Sequence, residues 1–309
     1  MSRTPVALVT GCLGSGKTTL VRHLLGHPGM GETAVIVNEL GEIGIDHAIL
    51  RRVDERTVLL ASGCLCCTLR GDLADELRDL VDRRDAGEVP PFRRVVVETT
   101  GLADPAPIVN TLLSEPLVRH QYVLETIVTT IDAQHGLRGP ESLRQAAAAD
   151  LLVVTKVDLA DGSSVEAEAR SLNPVAEVVQ VVRGDIHPDR LFDGARAACV
   201  DSTQTLSAHA HDDDVHSVSI ALDRPLDWLG FGVWLTMLLH ARGRDILRVK
   251  GLLDIGGEGP LLVNAVQHVV HPPEHLDAWP DDDRRSRLVF IGRGFTARAL
   301  ERSLHAFVA

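Results

Sequence analysis

The segment that most constrains the fold of this chain is GCLGSGKT, which runs from Gly11 to Thr18. It follows a short apolar run, Val6–Val9, and leads into a stretch with helical periodicity. The segment fits the pattern G-x-x-x-x-G-K-[ST], whose glycines let backbone amides surround phosphate oxygens at a helix N-terminus. In this pattern Lys17 reaches the β- and γ-phosphates, and the Thr18 hydroxyl binds Mg²⁺. The sequence therefore predicts a P-loop between a buried strand and a helix.

Short apolar runs rich in β-branched residues alternate with helical stretches from residue 6 to residue 182. The predicted strands are Val6–Val9, Ala34–Val37, Val58–Leu60, Val95–Val97, Ile127–Ile131, Leu151–Val154 and Val178–Val182. The predicted helices are Thr18–Leu25, Leu73–Arg83, Ile108–Leu113, Leu143–Ala149 and Val165–Leu172. Such alternation favours parallel crossovers. The expected fold is an α/β P-loop NTPase domain with a mostly parallel sheet, and ligands should bind at the carboxyl ends of its strands.

A polar stretch without periodicity, 201–216, predicts a linker. It separates a domain at 1–200 from a smaller α+β domain at 217–309. The elements predicted in the second domain are strands at Ser217–Leu222, Ile246–Ile255, Leu261–Val270 and Leu288–Gly292, a helix at Trp228–His240 and a last helix from about Thr296 to Ala306.

The composition limits the partners of the chain. With 31 basic and 43 acidic residues, the formal charge of −12 disfavours nucleic acid and anionic membranes. Near the N-terminus the apolar run Val6–Val9 is too short for a signal-peptide core, and no run reaches transmembrane length. The five cysteines are odd in number and clustered, unlike a secreted disulfide framework. A cytoplasmic protein with reduced thiols and with small-molecule or protein partners is expected.

Two further motifs extend the nucleotide prediction. In VVVETTG a buried strand ends at Glu98, three positions before Gly101, where P-loop enzymes support Mg²⁺ and sense the γ-phosphate. Glu98 stands where aspartate is usual, so we expect it to contact Mg²⁺ through water. In VVTKVDL, the segment Thr155-Lys156-x-Asp158 is similar to the guanine-reading motif. The Asp158 carboxylate can accept from guanine N1-H and the exocyclic amine together, whereas adenine would leave it unpaired, so GTP is favoured over ATP.

Threonine at 155, where asparagine is commoner, predicts a weaker tether to the P-loop and less strict selectivity. Lysine is rare in this chain, because the 31 basic residues include three lysines, Lys17, Lys156 and Lys250. Two of the three fall in nucleotide motifs, so a chance occurrence of these motifs is a poor explanation.

Three cysteines, Cys64, Cys66 and Cys67, lie within the segment SGCLCCTL. Such a cluster supplies two or three thiolates, which favour Zn²⁺ or Cu⁺ and also accept Co²⁺, but a closed tetrahedral site needs another ligand. Glu39, in the acidic and glycine-rich segment VNELGEIGID, is a candidate for it. The alternatives are a redox pair, which the spacing disfavours, inert packing of the thiols, and a solvated loop at Glu39.

The motifs GCLGSGKT, VNELGEIGID, SGCLCCTLRGDL, VVVETTGLADP and VVTKVDL occur in this order and together resemble the CobW-like family of P-loop GTPases. That family includes cobalamin-synthesis proteins, zinc metallochaperones and nitrile hydratase activators. The resemblance is strong over residues 5–185 and looser from Ser217, through RVKGLLDI and RLVFIGRG. A short histidine segment with His209 and His211 stands where some members have a long histidine tract. This segment either loads metal or is a solvated linker, and the sequence leaves both alternatives open.

The resemblance implies slow, metal-responsive hydrolysis of GTP with Mg²⁺ and delivery of a transition metal, zinc or cobalt, to a client metalloprotein. It assigns metal binding to Cys64, Cys66, Cys67 and Glu39, with catalysis expected from Lys17 and Glu98. The residues it assigns to nucleotide binding are Gly14, Ser15, Gly16, Lys17, Thr18, Thr19, Lys156 and Asp158, and the motifs themselves add Gly11 and Gly101. Two other functions stay open: a small-molecule kinase, and a nucleotide-gated metal sensor or store without turnover.

Overall fold

The computed structural model describes residues 3–37, 58–61, 70–192 and 215–308. The chain divides into two compact units. The first contains the P-loop, and the second contains the C-terminal sheet. The predicted limits of the linker, 201–216, fall almost entirely outside the described residues and stay a prediction.

The first unit is built on a seven-stranded sheet in the order β3-β2-β4-β1-β5-β6-β7. Every strand pair described in this sheet is parallel. Such strands are buried on both faces, which is why they appear in the sequence as continuous apolar runs. The predicted α/β fold is therefore confirmed. The strands are β1 (Thr4–Gly11), β2 (Thr33–Val37), β3 (Val58–Ala61), β4 (Arg94–Glu98), β5 (Tyr122–Asp132), β6 (Leu151–Thr155) and β7 (Glu177–Gln180).

Helices connect successive strands of this sheet as crossovers, and one more helix follows the last strand. Two short helices, α4 and α7, were not predicted, because so few residues show no helical periodicity. The helices are α1 (Lys17–Leu25), α2 (Arg70–Asp85), α3 (Pro105–Ser114), α4 (Pro116–Gln121), α5 (Gly139–Ala148), α6 (Ser163–Leu172) and α7 (Asp189–Phe192).

The strand order reverses around β1, which lies between β4 and β5. The chain runs from β1 to one side of the sheet through β2 and β3, returns at β4, and then continues through β5 on the other side. A ligand crevice forms at such a reversal, outside the carboxyl ends of the strands. In this chain Gly11, Glu98 and Asp132 are the last residues of β1, β4 and β5, so the fold places the P-loop in that crevice.

The second unit pairs an antiparallel sheet with two helices. Its core contains Phe231, Trp234 and Phe290, all nearly or fully buried. Within the described ranges, no helix is long and apolar enough to span a membrane. The elements are β8 (His216–Leu222), α8 (Trp228–Arg242), β9 (Ile246–Leu253), β10 (Leu261–Val266), β11 (Val269–Val270), β12 (Glu274–His275), β13 (Ser286–Gly292) and α9 (Ala297–Val308).

One predicted strand of this unit is wrong in its extent. The run Leu261–Val270 is not one strand but the antiparallel hairpin of β10 and β11, in which Val266 pairs with Val269. Gln267 adopts a φ of 51° at the turn. Apolar residues flank the two polar turn residues, Gln267 and His268, on both sides, so periodicity alone did not reveal the reversal.

Candidate functional site

The P-loop has the conformation of an anion cradle. It joins β1 to α1, and Gly14 and Gly16 adopt φ values of 74° and 97°, which a residue with a Cβ rarely adopts. Lys17 is the first residue of α1 and is 8% exposed. Its Nζ donates to the carbonyl oxygens of Gly11 at 2.9 Å and Cys12 at 3.0 Å. The ammonium group is therefore held across the loop.

Thr18 and Glu98 meet at the end of the central strands. The Thr18 Oγ1 donates to Glu98 Oε1 at 2.6 Å, and Glu98 is only 2% exposed. The contact follows from the sheet, because Glu98 lies opposite Val9 in the parallel pair of β1 and β4. A hydroxyl and a carboxylate are hard oxygen donors, which is the ligand chemistry that Mg²⁺ prefers. The two residues that the sequence proposed for Mg²⁺ thus fit such an ion.

Gly101 lies directly against the P-loop. A Cβ added at this position would stand 2.4 Å from the Leu13 amide nitrogen and 2.7 Å from the Leu13 Cα. Both are backbone atoms, so no side-chain rotation could relieve the overlap. Glycine is therefore required by close approach of two backbone segments, the P-loop and the residues that follow Glu98.

Thr155 joins the proposed guanine motif to the P-loop. Its Oγ1 donates to the Ser15 carbonyl oxygen at 2.6 Å, in a buried contact between residues 140 positions apart. Threonine at this position thus bonds directly to the loop backbone, and the expectation that its tether is weaker than that of asparagine stays a prediction.

Lys156 and Asp158 follow this tether. Lys156 has a φ of 58°, and its Nζ donates to Asp132 Oδ2 at 2.6 Å. The Asp158 side chain is 30% exposed and lies 3.9 Å from the Arg183 Nε. The Lys156 side chain is thus anchored, while the Asp158 carboxylate keeps access to a ligand.

Asp132 is a site residue that sequence reasoning missed. Besides Lys156, its carboxylate contacts His135 Nδ1 at 2.9 Å and accepts from the Gln134 amide at 2.8 Å. Burial raises the pKa of Asp132, but the hydrogen bonds from Lys156, His135 and the Gln134 amide lower it by more, so the pKa lies below its usual value. The available signal was an acidic residue at the end of an apolar strand, the same signal that identified Glu98.

A cavity of about 90 Å³ adjoins the P-loop within the first unit. Cys12 and Leu13 line it on the P-loop side, and Asp132, Ser142 and Gln145 line it opposite. The lining therefore combines the P-loop with the end of β5 and with α5.

The predicted transition-metal ligands, Cys64, Cys66, Cys67 and Glu39, lie outside the described residues. So do His209 and His211. Among the residues that are described, no group of three or more histidine, cysteine, aspartate or glutamate side chains is arranged to hold a metal ion. The assignment of the thiolate site stays a prediction.

Comparison with known proteins agrees with this architecture in both units. The family model described as "CobW/HypB/UreG, nucleotide-binding domain" matches residues 5–180, and "Cobalamin synthesis protein cobW C-terminal domain" matches residues 215–308. The chain is 32% identical to the zinc chaperone YjiA of Escherichia coli over 303 residues, covering 94% of this chain and 95% of that protein. It is also 32% identical to the zinc chaperone CobW of Pseudomonas aeruginosa, covering 100% of this chain and 92% of that protein.

A solved structure gives the same result. The crystal structure of the Zn(II)-bound YjiA GTPase from E. coli superimposes with a TM-score of 0.76 at 27% identity, covering 100% of both chains. The resemblance drawn from the motifs is confirmed, and the chain belongs to the CobW family, with its nucleotide-binding domain followed by the CobW C-terminal domain.

Proposed function

We propose that this protein is a GTPase that acts as a metallochaperone and delivers zinc to a client metalloprotein. The observation that carries the proposal is the meeting of three sequence motifs at one end of the sheet. Two side-chain hydrogen bonds join them, a partly buried one from Thr18 to Glu98 and a buried one from Thr155 to Ser15. The relatives named zinc chaperones and the solved Zn(II)-bound GTPase support the same function.

We assign the phosphates of GTP to the P-loop. Its backbone amides face the phosphate oxygens, and the anchored Lys17 neutralises charge on the β- and γ-phosphates. We assign recognition of the γ-phosphate to the Gly101 amide, whose backbone lies against the P-loop. The proposed phosphate ligands are Gly11, Gly14, Ser15, Gly16, Lys17, Thr18 and Thr19.

Thr18 and Glu98 are the proposed Mg²⁺ residues, with Glu98 acting through water. Bound there, the ion would neutralise developing charge on the transferred phosphoryl group. Lys17 and Glu98 are the residues to which we assign catalysis of hydrolysis.

Guanine is assigned to Lys156 and Asp158. The exposed edge of the Asp158 carboxylate can accept from guanine N1-H and the exocyclic amine, whereas adenine would leave it unpaired. Asp132 anchors Lys156, and the hydrogen bond to Ser15 anchors Thr155 to the P-loop. The base and the phosphates are therefore bound by one connected set of residues. GTP should therefore be preferred over ATP.

Zinc, the cargo, is assigned to Cys64, Cys66, Cys67 and Glu39. This assignment is supported by the positions at which strands β2 and β3 end in the sheet. Val37 lies opposite both Glu98 and Ala61 in the parallel register. The segments that contain Glu39 and Cys64 thus begin at the strand ends beside the proposed Mg²⁺ residues. We propose that GTP orders these segments around the metal and that hydrolysis releases it to the client, in the cytoplasm where thiols stay reduced.

The test is GTP hydrolysis and zinc affinity measured on the full chain. We expect phosphate release from GTP rather than ATP, faster turnover with Zn²⁺, and tighter Zn²⁺ binding with a nonhydrolysable GTP analogue than with GDP. Cys66→Ser and Cys67→Ser should weaken Zn²⁺ binding, and Cys199→Ser, which lies outside the cluster, is the matched control. Phosphate release in no condition would favour a metal sensor or store, and transfer to a small-molecule acceptor would favour a kinase.

A further inference from the structure

We infer that Gln145 is a positioning residue. It fixes the distance between the P-loop and the segment after Glu98, so that this segment can recognise the γ-phosphate. This inference rests on the proposed GTPase function, and it means that a residue of α5 controls recognition of the γ-phosphate. Gln145 is completely buried. It belongs to no motif, and nothing in its sequence surroundings marks it as functional.

The carboxamide of Gln145 bridges the two segments that meet at the phosphates. Its Nε2 donates to the carbonyl oxygens of Gly101 at 3.2 Å and Ala103 at 3.0 Å. Its Oε1 accepts from the Cys12 Sγ at 3.7 Å. Two carbonyl oxygens can be satisfied only by the amino group, so the orientation of the amide is fixed by its partners. One side chain thus contacts both the P-loop and the segment that carries Gly101.

The thiol end of this bridge keeps its proton. Burial raises the pKa of the Cys12 thiol, although Lys17 opposes the shift. At neutral pH Cys12 therefore remains a donor to Gln145.

The α5 backbone is itself fixed to the central sheet. The Gln145 carbonyl oxygen accepts from Thr129 Oγ1 of β5 at 2.8 Å. Because β5 pairs directly with β1, the base of the Gln145 side chain is anchored to the neighbour of the strand that leads into the P-loop. The carboxamide is therefore a rigid spacer between that sheet and Gly101.

Loss of the Gln145 bridge should affect the binding of GTP more than the binding of GDP. Gly101 already lies in backbone contact with Leu13, so a small displacement of its carbonyl moves its amide relative to the P-loop. The Gly101 amide faces the γ-phosphate in the proposed function, and GDP has no γ-phosphate. Loss of the bridge should therefore reduce the preference for a GTP analogue over GDP, and with it turnover.

Two substitutions separate hydrogen bonding from packing. Gln145→Glu keeps the shape but turns a carboxylate oxygen toward two carbonyl oxygens. Gln145→Met keeps a similar volume and removes both donors. From the P-loop end, Cys12→Ala removes the thiol donor, whereas Cys12→Ser retains a donor. Gln121→Glu, at the exposed end of α4, is the matched control for the change of charge.

The experiment measures the affinities of GDP and of a nonhydrolysable GTP analogue by calorimetry, with thermal unfolding and GTP turnover on the same preparations. Both Gln145 variants should lower analogue affinity and kcat by about tenfold, the cost of an unpaired buried group, with GDP affinity little changed. Cys12→Ala should shift the affinity ratio in the same direction, and Cys12→Ser and Gln121→Glu should not.

An unchanged ratio of analogue to GDP affinity in the Gln145 variants would overturn the inference. Equal loss of both affinities would also overturn it, since that is the signature of a scaffold role. Should the Gln145 variants not fold, the Cys12 pair decides: equal ratios in Cys12→Ala and Cys12→Ser refute the bridge. Because the ratio needs no turnover, failure of wild-type GTP hydrolysis would refute the proposed function while leaving this inference testable.

Discussion

Gly101→Ala should separate folding from GTP turnover. The added Cβ would stand 2.4 Å from the Leu13 nitrogen, whereas ordinary contacts begin near 3.4 Å, so the two backbone segments must move apart by about 1 Å. Gly101 does not have a positive φ, and the cost therefore comes from this contact rather than from backbone strain. Overpacking of this kind costs about 1–3 kcal/mol of stability. A 1 Å displacement at a reacting centre costs about 10²-fold in rate.

The assay is phosphate release at saturating GTP and Mg²⁺, with thermal unfolding to confirm that the variant is folded. Gly232→Ala is the matched control, because nothing lies within 4 Å of a Cβ at this position in α8. It should leave turnover unchanged and stabilise the helix by about 0.5–1 kcal/mol. A folded Gly101→Ala protein with turnover within about threefold of wild type would refute the argument that Gly101 must approach the P-loop this closely.

Two more contacts of the site make testable predictions. Thr155→Val removes the hydroxyl that donates to Ser15 and should cost about 1–3 kcal/mol in thermal unfolding and weaken GTP binding, because a buried carbonyl loses its donor. Thr155→Ser keeps a hydroxyl, so equal GTP affinities in the two variants would contradict the tether. Burial raises the pKa of Asp132, but hydrogen bonds from Lys156, His135 and a backbone amide lower it by more. The ionised carboxylate therefore stabilises the fold above the usual aspartate range, and this contribution is lost as pH falls through the lowered pKa. In urea unfolding, the advantage of wild type over Asp132→Asn should be full at neutral pH and shrink below about pH 4; a constant difference would contradict it.

Much of the first unit could be predicted because its signals are local. A strand buried on both faces requires consecutive apolar residues, so all seven strands of the parallel sheet were visible as short runs. The P-loop pattern is equally local, since glycine and lysine at fixed spacing decide the turn and the charge. Short helices were missed because so few residues show no helical periodicity, and the hairpin at Gln267 was missed because apolar residues flank its two-residue turn on both sides.

The fold class, the P-loop and the nucleotide motifs can be recognised from the sequence alone, since each depends on residues within a few positions of one another. Which strand ends are neighbours follows only from the folded chain, because hydrophobic periodicity contains no information about strand order. That order brings Glu98 to Thr18 and Thr155 to Ser15, across 80 and 140 positions. It also turns Gln145, an unremarkable helix residue in the sequence, into a contact of Cys12 across 133 positions. A hydrogen bond requires partners within about 3 Å, or somewhat more for a sulfur donor, and for residues this far apart only the packed sheet can provide that proximity.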